Sequence, residues 1–339
     1  MAAVQSASST EISPALLVDA MFAVRKTAAI KAAIELDLFT MIGSGRTAKV
    51  LAAEAGCAER GVRIICDYLV VAGFLTKSGE TYVLTPSSAV FLDSRSPAYM
   101  GAAIEFIAAP EMMSLLLQGA TESVRNGGAT GLANIAPDNP VWVKFARAMG
   151  AFTGSAARVL AAEVAAWSNP PHKVLDIAAG PGYFGIEIAR IIPSANIVAL
   201  DWTSVLELTK QNAAASGVAS RYSFIAGSAF EVDWGKDYDL VMLPNFLHHF
   251  DMEGCVALLR KARSSLTANG KLIAVDFVPN EDRVSPPFPA AFAFEMLATT
   301  PKGDAYTASE LGEMARQSGF RQAAVTALPP TPASLIVFV

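Results

Sequence analysis

One stretch constrains this chain more than any other: Lys173-Val174-Leu175-Asp176-Ile177-Ala178-Ala179-Gly180-Pro181-Gly182, an apolar run that ends in an acid and then in glycines. The run has the length of a strand, and Phe184, Ile188 and Ile191 follow at helical spacing, so the segment reads as strand, tight turn and helix. Glycine has no Cβ and tolerates dihedrals that other residues avoid, so such a turn lets a ligand approach bare backbone. The N–H groups of the first helical turn point at the same place. A nucleotide-like cofactor is the expected occupant.

Two classes of cofactor compete for it. Gly180, Gly182 and Gly185 spell the G-x-G-x-x-G of a dinucleotide site, with Asp201 at the distance of a ribose-binding acid. That pattern keeps an NAD-dependent oxidoreductase as an alternative. Against it, Asp176 closes the strand where a carboxylate would accept from a cationic amine and gain nothing from a pyrophosphate. The form D-x-A-x-G-x-G resembles motif I of the class I S-adenosylmethionine-dependent methyltransferases, with Ala178 at the first glycine position.

With 339 residues the chain has room for two domains. Although 53% of it is hydrophobic, charges such as Glu105, Glu163 and Arg190 interrupt every apolar stretch before the roughly 18 residues of a membrane span. The polar start, Met1 to Thr10, has neither a basic nor an apolar signal region. A net charge of -5 opposes a nucleic-acid surface. Cys57, Cys66 and Cys255 lack metal or redox spacing, and a soluble cytoplasmic protein is expected.

From Ile12 to Ile42 the pattern is helical with a broad apolar face that asks for a partner. Thr47 is the expected N-cap of a short helix ending at Gly56, and Glu59 to Ala72 forms a second helix. The segments 73–76 and 81–85 flank a glycine turn as a hairpin. This is a winged-helix pattern, which raises a DNA-binding, metabolite-sensing regulator as another alternative. The helix that would enter the groove balances Arg60 and Arg63 against Glu59 and Asp67, so a dimer or scaffold role is preferred. Phe91 to Trp167 is mostly helical, broken by a loop at Asn126–Gly131, and Met149 and Phe152 on its last helix are expected to reach a substrate pocket.

After Lys173 strands and helices alternate: strands at 196–201, 222–226, 238–243 and 271–275, the last preceded by a turn Ala268-Asn269-Gly270. A final helix, 308–318, leads to two strands, 322–328 and 334–339, joined through Pro329-Pro330-Thr331-Pro332. The expected fold is α/β, a doubly wound Rossmann-like parallel sheet that ends in an antiparallel hairpin.

Ligands in such sheets bind beyond the carboxyl ends of the strands, where Asp176, Asp201, Ser228, His248 and Asp276 converge. Asp201 is placed to grip both ribose hydroxyls. Trp202 and Phe230 are candidates to flank the adenine, with core packing as their other reading, and Ser228 and Ala229 belong to the same turn. Asn245 opens the turn after the fourth strand. The adjacent His248 and His249 do not make a metal site, because neighbours in sequence diverge in direction and no third ligand follows. His248 stands where a methyl acceptor would meet the sulfonium, and a neutral imidazole with a pKa near ~6.5 removes a hydroxyl proton near neutral pH. Asp276 would orient it. Phe288, Phe292, Phe294, Met296 and Leu297 form a proline-led apolar segment, read as a pocket wall.

Over nearly its full length the chain resembles the dimeric small-molecule O-methyltransferases related to caffeate, isoflavone and acetylserotonin O-methyltransferases and to bacterial natural-product tailoring enzymes. Leu247-His248-His249-Phe250 resembles the family's L-H-D-W, which implies the catalytic base role for His248 and not for His249. Lys271 to Pro279 resembles G-K-x-x-x-x-E-x-x-x-P, with Asp276 at the orienting glutamate. Gly303-Asp304-Ala305-Tyr306-Thr307 resembles G-K-E-R-T, with Ala305 in place of the second acid, and Ser228 replaces an aspartate after the third strand. His248 would then rely on Asp276 alone, or Asp304 would substitute from one position away. The resemblance implies a homodimer using S-adenosyl-L-methionine without a metal. It also implies a winged-helix-like dimerisation domain over 1–92, a helical connector over 93–169 contributing to pocket and dimer, and the cofactor-binding domain over 170–339. The expected reaction is methyl transfer to a hydroxyl of a small aromatic or polyketide-like molecule in secondary metabolism, with C- or N-methylation as the same-class alternative. Cofactor contacts fall on Asp176, Gly180, Gly182, Asp201, Trp202, Ser228, Ala229, Phe230 and Asn245. Acceptor contacts fall on Met149, Phe152, His249, Phe292 and Met296.

Overall fold

The computed structural model describes residues 12–129, 141–329 and 331–339. Met1 to Thr10, the Thr130-Gly131 end of the expected loop, and Pro330 lie outside the described residues. The chain divides into two compact units, Met1–Ala102 and Ala103–Val339.

In the first unit the expected broad helix is three: α1 (Ala15–Phe22), α2 (Val24–Glu35) and α3 (Leu38–Ile42). Asp37 breaks the last junction in a left-handed conformation, φ 52°, which aspartate tolerates better than most residues. α1 buries none of its residues. Strand β1 (Arg46–Thr47) leads to α4 (Ala48–Ala55), where Thr47 Oγ1 accepts from the Val50 N–H at 3.4 Å and Gly56 ends the helix at φ 64°. α5 (Glu59–Val71) buries Val62, Cys66 and Leu69, one stripe at i, i+4 and i+7, against Leu38, Phe39 and Leu51. Each large apolar side chain so buried contributes roughly 1.5–3 kcal/mol. The hairpin of β2 (Leu75–Ser78) and β3 (Thr81–Leu84) forms as expected, and β1 adds a third, unanticipated strand in the order β1-β3-β2. Asp67 on α5 takes Arg63 at 3.0 Å, Lys77 at 2.6 Å and the Tyr82 hydroxyl at 2.7 Å, so the acid ties that helix to the hairpin. α6 (Pro86–Phe91) follows, N-capped by Thr85.

The second unit begins with α7 (Ile104–Ile107) and α8 (Pro110–Ser114), continues through a π turn at Leu115–Gly119 into α9 (Ala120–Asn126), and resumes with α10 (Val141–Ala165). Its sheet comprises β4 (Lys173–Ile177), β5 (Asn196–Asp201), β6 (Tyr222–Ala226), β7 (Tyr238–Pro244), β8 (Leu266–Asp276), β9 (Ala323–Ala327) and β10 (Ser334–Phe338). The order is β6-β5-β4-β7-β8-β10-β9. The first five strands are parallel, and β10 runs antiparallel between β8 and β9. The helices α11 (Tyr183–Ile191), α12 (Thr203–Ala215), α13 (Met252–Ser265), α14 (Pro287–Thr299) and α15 (Ala308–Gln317) connect them. The neighbours of β4 are reached in opposite directions, which makes its carboxyl end the switch point where doubly wound sheets hold ligands.

Alternation along the strands builds two cores. Leu175, Ile177, Val241, Leu243, Leu272, Ala274, Ile336 and Phe338 meet Leu258 and Leu259 of α13 and Leu311 and Met314 of α15. Val174, Leu240, Met242, Ile273 and Val275 meet Leu160 and Val164 of α10 and Ile186 and Ile188 of α11 on the other face. The turn expected at Ala268-Asn269-Gly270 is instead part of β8, whose pairing with β7 slips between Tyr238↔Leu266 and Leu240↔Lys271. This is a bulge, and a Cβ on Gly270 would stand 2.6 Å from the Tyr238 carbonyl oxygen, so the glycine serves close approach. No helix among the described residues is long and apolar enough to cross a membrane.

Candidate active site

The turn after β4 is a cradle of left-handed residues: Ala178 at φ 52°, Gly180 at 56° and Gly182 at 82°. From beneath, α12 fixes its carbonyls, with Thr209 Oγ1 donating to Gly180 O at 2.7 Å and Asn212 Nδ2 to Pro181 O at 2.8 Å. A Cβ on Gly182 would stand 2.6 Å from Thr209 Cγ2, whereas one on Gly180 would meet nothing nearer than 3.9 Å and would fill the cradle itself. Sequence reasoning missed Thr209 and Asn212. Their only sequence signal is a polar residue on the inward face of an amphipathic helix.

Asp201, at the end of β5, accepts from Gly180 N–H at 2.8 Å through Oδ2 and from Trp202 N–H at 2.7 Å through Oδ1. Each oxygen keeps lone-pair capacity for a vicinal diol. Burial pushes this carboxyl up to about 6, against the pull of the two amides.

Asp176 corrects the expectation of direct contact with a cationic amine. It shares the strand face of Val174, is fully buried, and accepts from Gly185 N–H of α11 at 3.1 Å. Its Oδ1 has no partner, and burial pushes the carboxyl up to about 8. A Cβ on Gly185 would stand 3.0 Å from Asp176 Oδ2 and 2.7 Å from the Tyr222 hydroxyl. The third glycine of the series is therefore there to let helix, strand and β6 approach, and Asp176 holds the cradle from below.

Of the other strand-end residues, Trp202 precedes α12 half-buried at its N-cap. Ser228 Oγ accepts from Phe230 N–H at 3.3 Å. Ala229 is buried, and its carbonyl accepts from Trp234 Nε1 at 2.9 Å and Lys261 Nζ at 2.8 Å, which pins the turn. Phe230 stands 42% exposed, edge-on to Phe250. Asn245 is left-handed, φ 52°, and donates its N–H to Val275 O at 2.7 Å, so β8 fixes where the chain turns after β7.

That turn delivers a 3-10 segment, Leu247–His249. The structure brings His248 and Asp276 together, both buried: Nδ1 lies 2.7 Å from Oδ1, the His248 N–H donates to Oδ2 at 3.3 Å, and Phe277 N–H donates to Oδ1 at 2.8 Å. With Nδ1 donating, Nε2 keeps its lone pair. From α14, Phe292 packs edge-on against the His248 ring at 4.9 Å, and Met296 is buried one turn further on. His249 packs beside His248 at 4.3 Å, and burial with that neighbour holds its pKa well below the usual imidazole value.

Elsewhere the expected pocket wall is only partly inward. Phe294 is 51% exposed. Met149 packs in a satellite core with Phe106, Met112 and Ala148, Phe152 is 45% exposed, and no ring contact links Phe152 to the histidines. The notion that Asp304 replaces the missing acid is also corrected. Its backbone N–H donates to His248 O at 3.0 Å, but its carboxylate pairs with Arg283 at 3.3 Å, while Ala305 is buried. Glu295 was missed: it lies on α14 one turn from Phe292, half-buried, with its pKa raised by burial. Among the described residues no cluster of three or more His, Cys, Asp or Glu is placed to hold a metal.

Comparison with known proteins adds to this geometry. An O-methyltransferase domain model matches residues 118–321, and an O-methyltransferase dimerisation domain model matches 18–94. A crystal structure of a putative O-methyltransferase from Nostoc punctiforme is 48% identical, covers 97% of this chain and 99% of its own, and superposes with a TM-score of 0.92. The tetracenomycin polyketide synthesis 8-O-methyl transferase of Streptomyces glaucescens is 26% identical over 307 residues, 88% of this chain and 89% of that protein. Human N-acetylserotonin methyltransferase, solved in complex with S-adenosylmethionine, shares the fold with a TM-score of 0.82 at 19% identity, covering 98% of both chains. The Nostoc punctiforme match extends over both structural units, the O-methyltransferase domain model covers more than half of the chain, and the chain belongs to the O-methyltransferase family.

Proposed function

We propose that this O-methyltransferase takes its methyl group from S-adenosyl-L-methionine and passes it to a hydroxyl of a small aromatic or polyketide-like molecule, with His248 as general base. One observation carries the reading: the buried His248–Asp276 pair, 2.7 Å apart, at the same end of the sheet as the glycine cradle. The cradle fits the donor, since Gly180 leaves room for close approach and Asp201 retains acceptor capacity for a ribose. Bound there, S-adenosylmethionine supplies a carbon already activated by positive sulfur. Gly180, Gly182 and Asp201 would hold it, with Trp202, Ser228, Ala229, Phe230 and Asn245 around it and Asp176 supporting the cradle from beneath.

The protein's part is alignment and one proton. His248 Nε2 would take the acceptor hydroxyl proton as the oxygen displaces the neutral thioether, S-adenosylhomocysteine, from the methyl carbon, and Asp276 would stabilise the imidazolium through Nδ1–H. Phe292 and Met296 hold the acceptor against the ring, His249 remains neutral beside it, and Met149 and Phe152 belong to the outer part of the acceptor region. The dimerisation domain and the exposed apolar residues Leu16, Leu17 and Met21 of α1 support a homodimer.

Calorimetric titration with S-adenosylmethionine and S-adenosylhomocysteine, with NAD as control, tests the donor. Methylation of a phenol panel by the parent and by His248→Ala tests the base. Micromolar binding of both sulfur ligands, and a loss of turnover in the variant of about 100-fold or more, are expected. Unchanged turnover across pH in His248→Ala would remove the base assignment.

A further inference from the structure

The wall facing His248 contains a carboxylate that no described group engages. On α14 the inward stripe runs Phe292, Glu295, Met296 and Thr299, at i, i+3, i+4 and i+7. Phe292 lies against the His248 ring, so its neighbour Glu295 faces the same space. Around it the wall is apolar, with Phe277 packed on Phe292 at 4.6 Å and Met296 buried. The cations of the flanking segments are committed elsewhere. Arg125 of α9, which packs on α14, pairs with Glu122, Arg283 pairs with Asp304 and Glu310, and Lys302 with Asp251 at 2.7 Å. His248 gives its Nδ1 to Asp276. Burial raises the pKa of Glu295 and only His248 opposes that rise, which agrees with a carboxylate lacking a close partner.

A half-buried acid in an apolar wall, its carboxylate still open to the space beside His248, is placed to accept a hydrogen bond from whatever occupies that space. We propose that Glu295 selects the acceptor: beside the hydroxyl that is methylated, the substrate carries a second hydrogen-bond donor, a hydroxyl or an amine, which the Glu295 carboxylate accepts. This rests on the methyl-transfer reading above. It differs from a role in supporting His248, because Glu295 then discriminates between acceptors and does not scale the chemistry of all of them.

Four acceptors of one shape separate these roles: 2-naphthol, 2,3-dihydroxynaphthalene, 3-amino-2-naphthol and 3-hydroxy-2-naphthoate. Full-length parent, Glu295→Gln and Glu295→Leu are assayed for kcat and KM at saturating S-adenosylmethionine, with melting curves as a check on folding. In the parent, the two donor-bearing acceptors are expected to exceed 2-naphthol in kcat/KM, and the carboxylate analogue to be rejected. Glu295→Leu should lower the donor-to-naphthol ratio roughly 10- to 100-fold, mostly through KM, the range of a hydrogen bond to a charged group. Both variants should gain activity on 3-hydroxy-2-naphthoate as like-charge repulsion disappears, a gain that a misfolded variant does not show. Equal losses on all four acceptors, or a preference unchanged in both variants, overturn the proposal. Parent protein that binds S-adenosylmethionine yet methylates neither donor-bearing acceptor overturns the acceptor class. Failure to bind S-adenosylmethionine at all overturns the underlying reading instead.

Discussion

Replacing Asp276 by Asn keeps the shape of the side chain and removes its charge. Asp276 accepts three hydrogen bonds, from His248 Nδ1 at 2.7 Å and Phe277 N–H at 2.8 Å on one oxygen, and from His248 N–H at 3.3 Å on the other. An amide has a single acceptor oxygen. If that oxygen stays toward Nδ1, the NH2 group faces the His248 backbone N–H, donor against donor. If the amide flips, it donates to Nδ1 and leaves the proton on Nε2, the tautomer that cannot accept from a hydroxyl. Either way the imidazolium formed during transfer loses a charge-assisted partner worth ~1.5–3 kcal/mol. At about 1.4 kcal/mol per tenfold in rate, kcat should fall roughly 10- to 150-fold. Donor affinity should hold, because Asp201 lies at the end of a different strand with its own amide donors. Single-turnover transfer of labelled methyl to a phenol, measured from about pH 6 to 9, with donor binding measured calorimetrically, reads both quantities. A kcat within about twofold of the parent at every pH, in a variant that melts normally, would refute the proton relay.

Two further predictions concern pH. Asp201 has a folded-state pKa raised to about 6 from 3.8. Its carboxylate is therefore lost below that pH, and affinity for S-adenosylmethionine should weaken by up to roughly tenfold per pH unit, while Asp201→Asn binds more weakly and without this slope; equal slopes by calorimetry would oppose the assignment. Asp176, raised to about 8, is protonated in the folded state where the unfolded chain is ionised. The stability this gives is present at low pH and lost as pH rises toward about 8, so melting temperatures of the parent should fall relative to Asp176→Asn across that window and level off above it; a parallel course would show that Asp176 is not held neutral.

The alternation of strands and helices was legible because apolar periodicity and glycine punctuation report burial directly. The site was legible in so far as strand ends converge: His248 and Asp276 could be paired from their positions alone, and they meet. The direction in which a side chain leaves the backbone was not. Asp176 lies at the right height but shares the Val174 face, and only knowing that α10 and α11 cover that face shows the acid to be sealed beneath Gly185. Asp304 is adjacent to the missing acid in sequence, yet Arg283 takes its carboxylate from a segment 21 residues away. Glu295 interrupts the apolar run Phe292 to Leu297, a signal present in the sequence and passed over because a single charge in a helix usually marks its solvated side.

The same alternation divides the chemistry of the site. On β4 and β5, Asp176 and Asp201 keep the parity of Val174 and Ile197, which pack on the α10 and α11 side. On β8, Asp276 keeps the parity of Leu272 and Ala274, which pack on the α13 side. A two-residue period cannot place both sets on one face without a bulge, so the acids at the glycine turn and the acid bonded to His248 belong to different layers of packing. They meet only above the sheet edge, through the glycine turn on one side and the 3-10 segment on the other. Repacking one layer should therefore change donor affinity or proton transfer separately. That leaves helix α14, which packs Phe292 on the His248 ring and supplies no strand-end residue to either set, as the element whose side chains the proposed reading assigns to the acceptor.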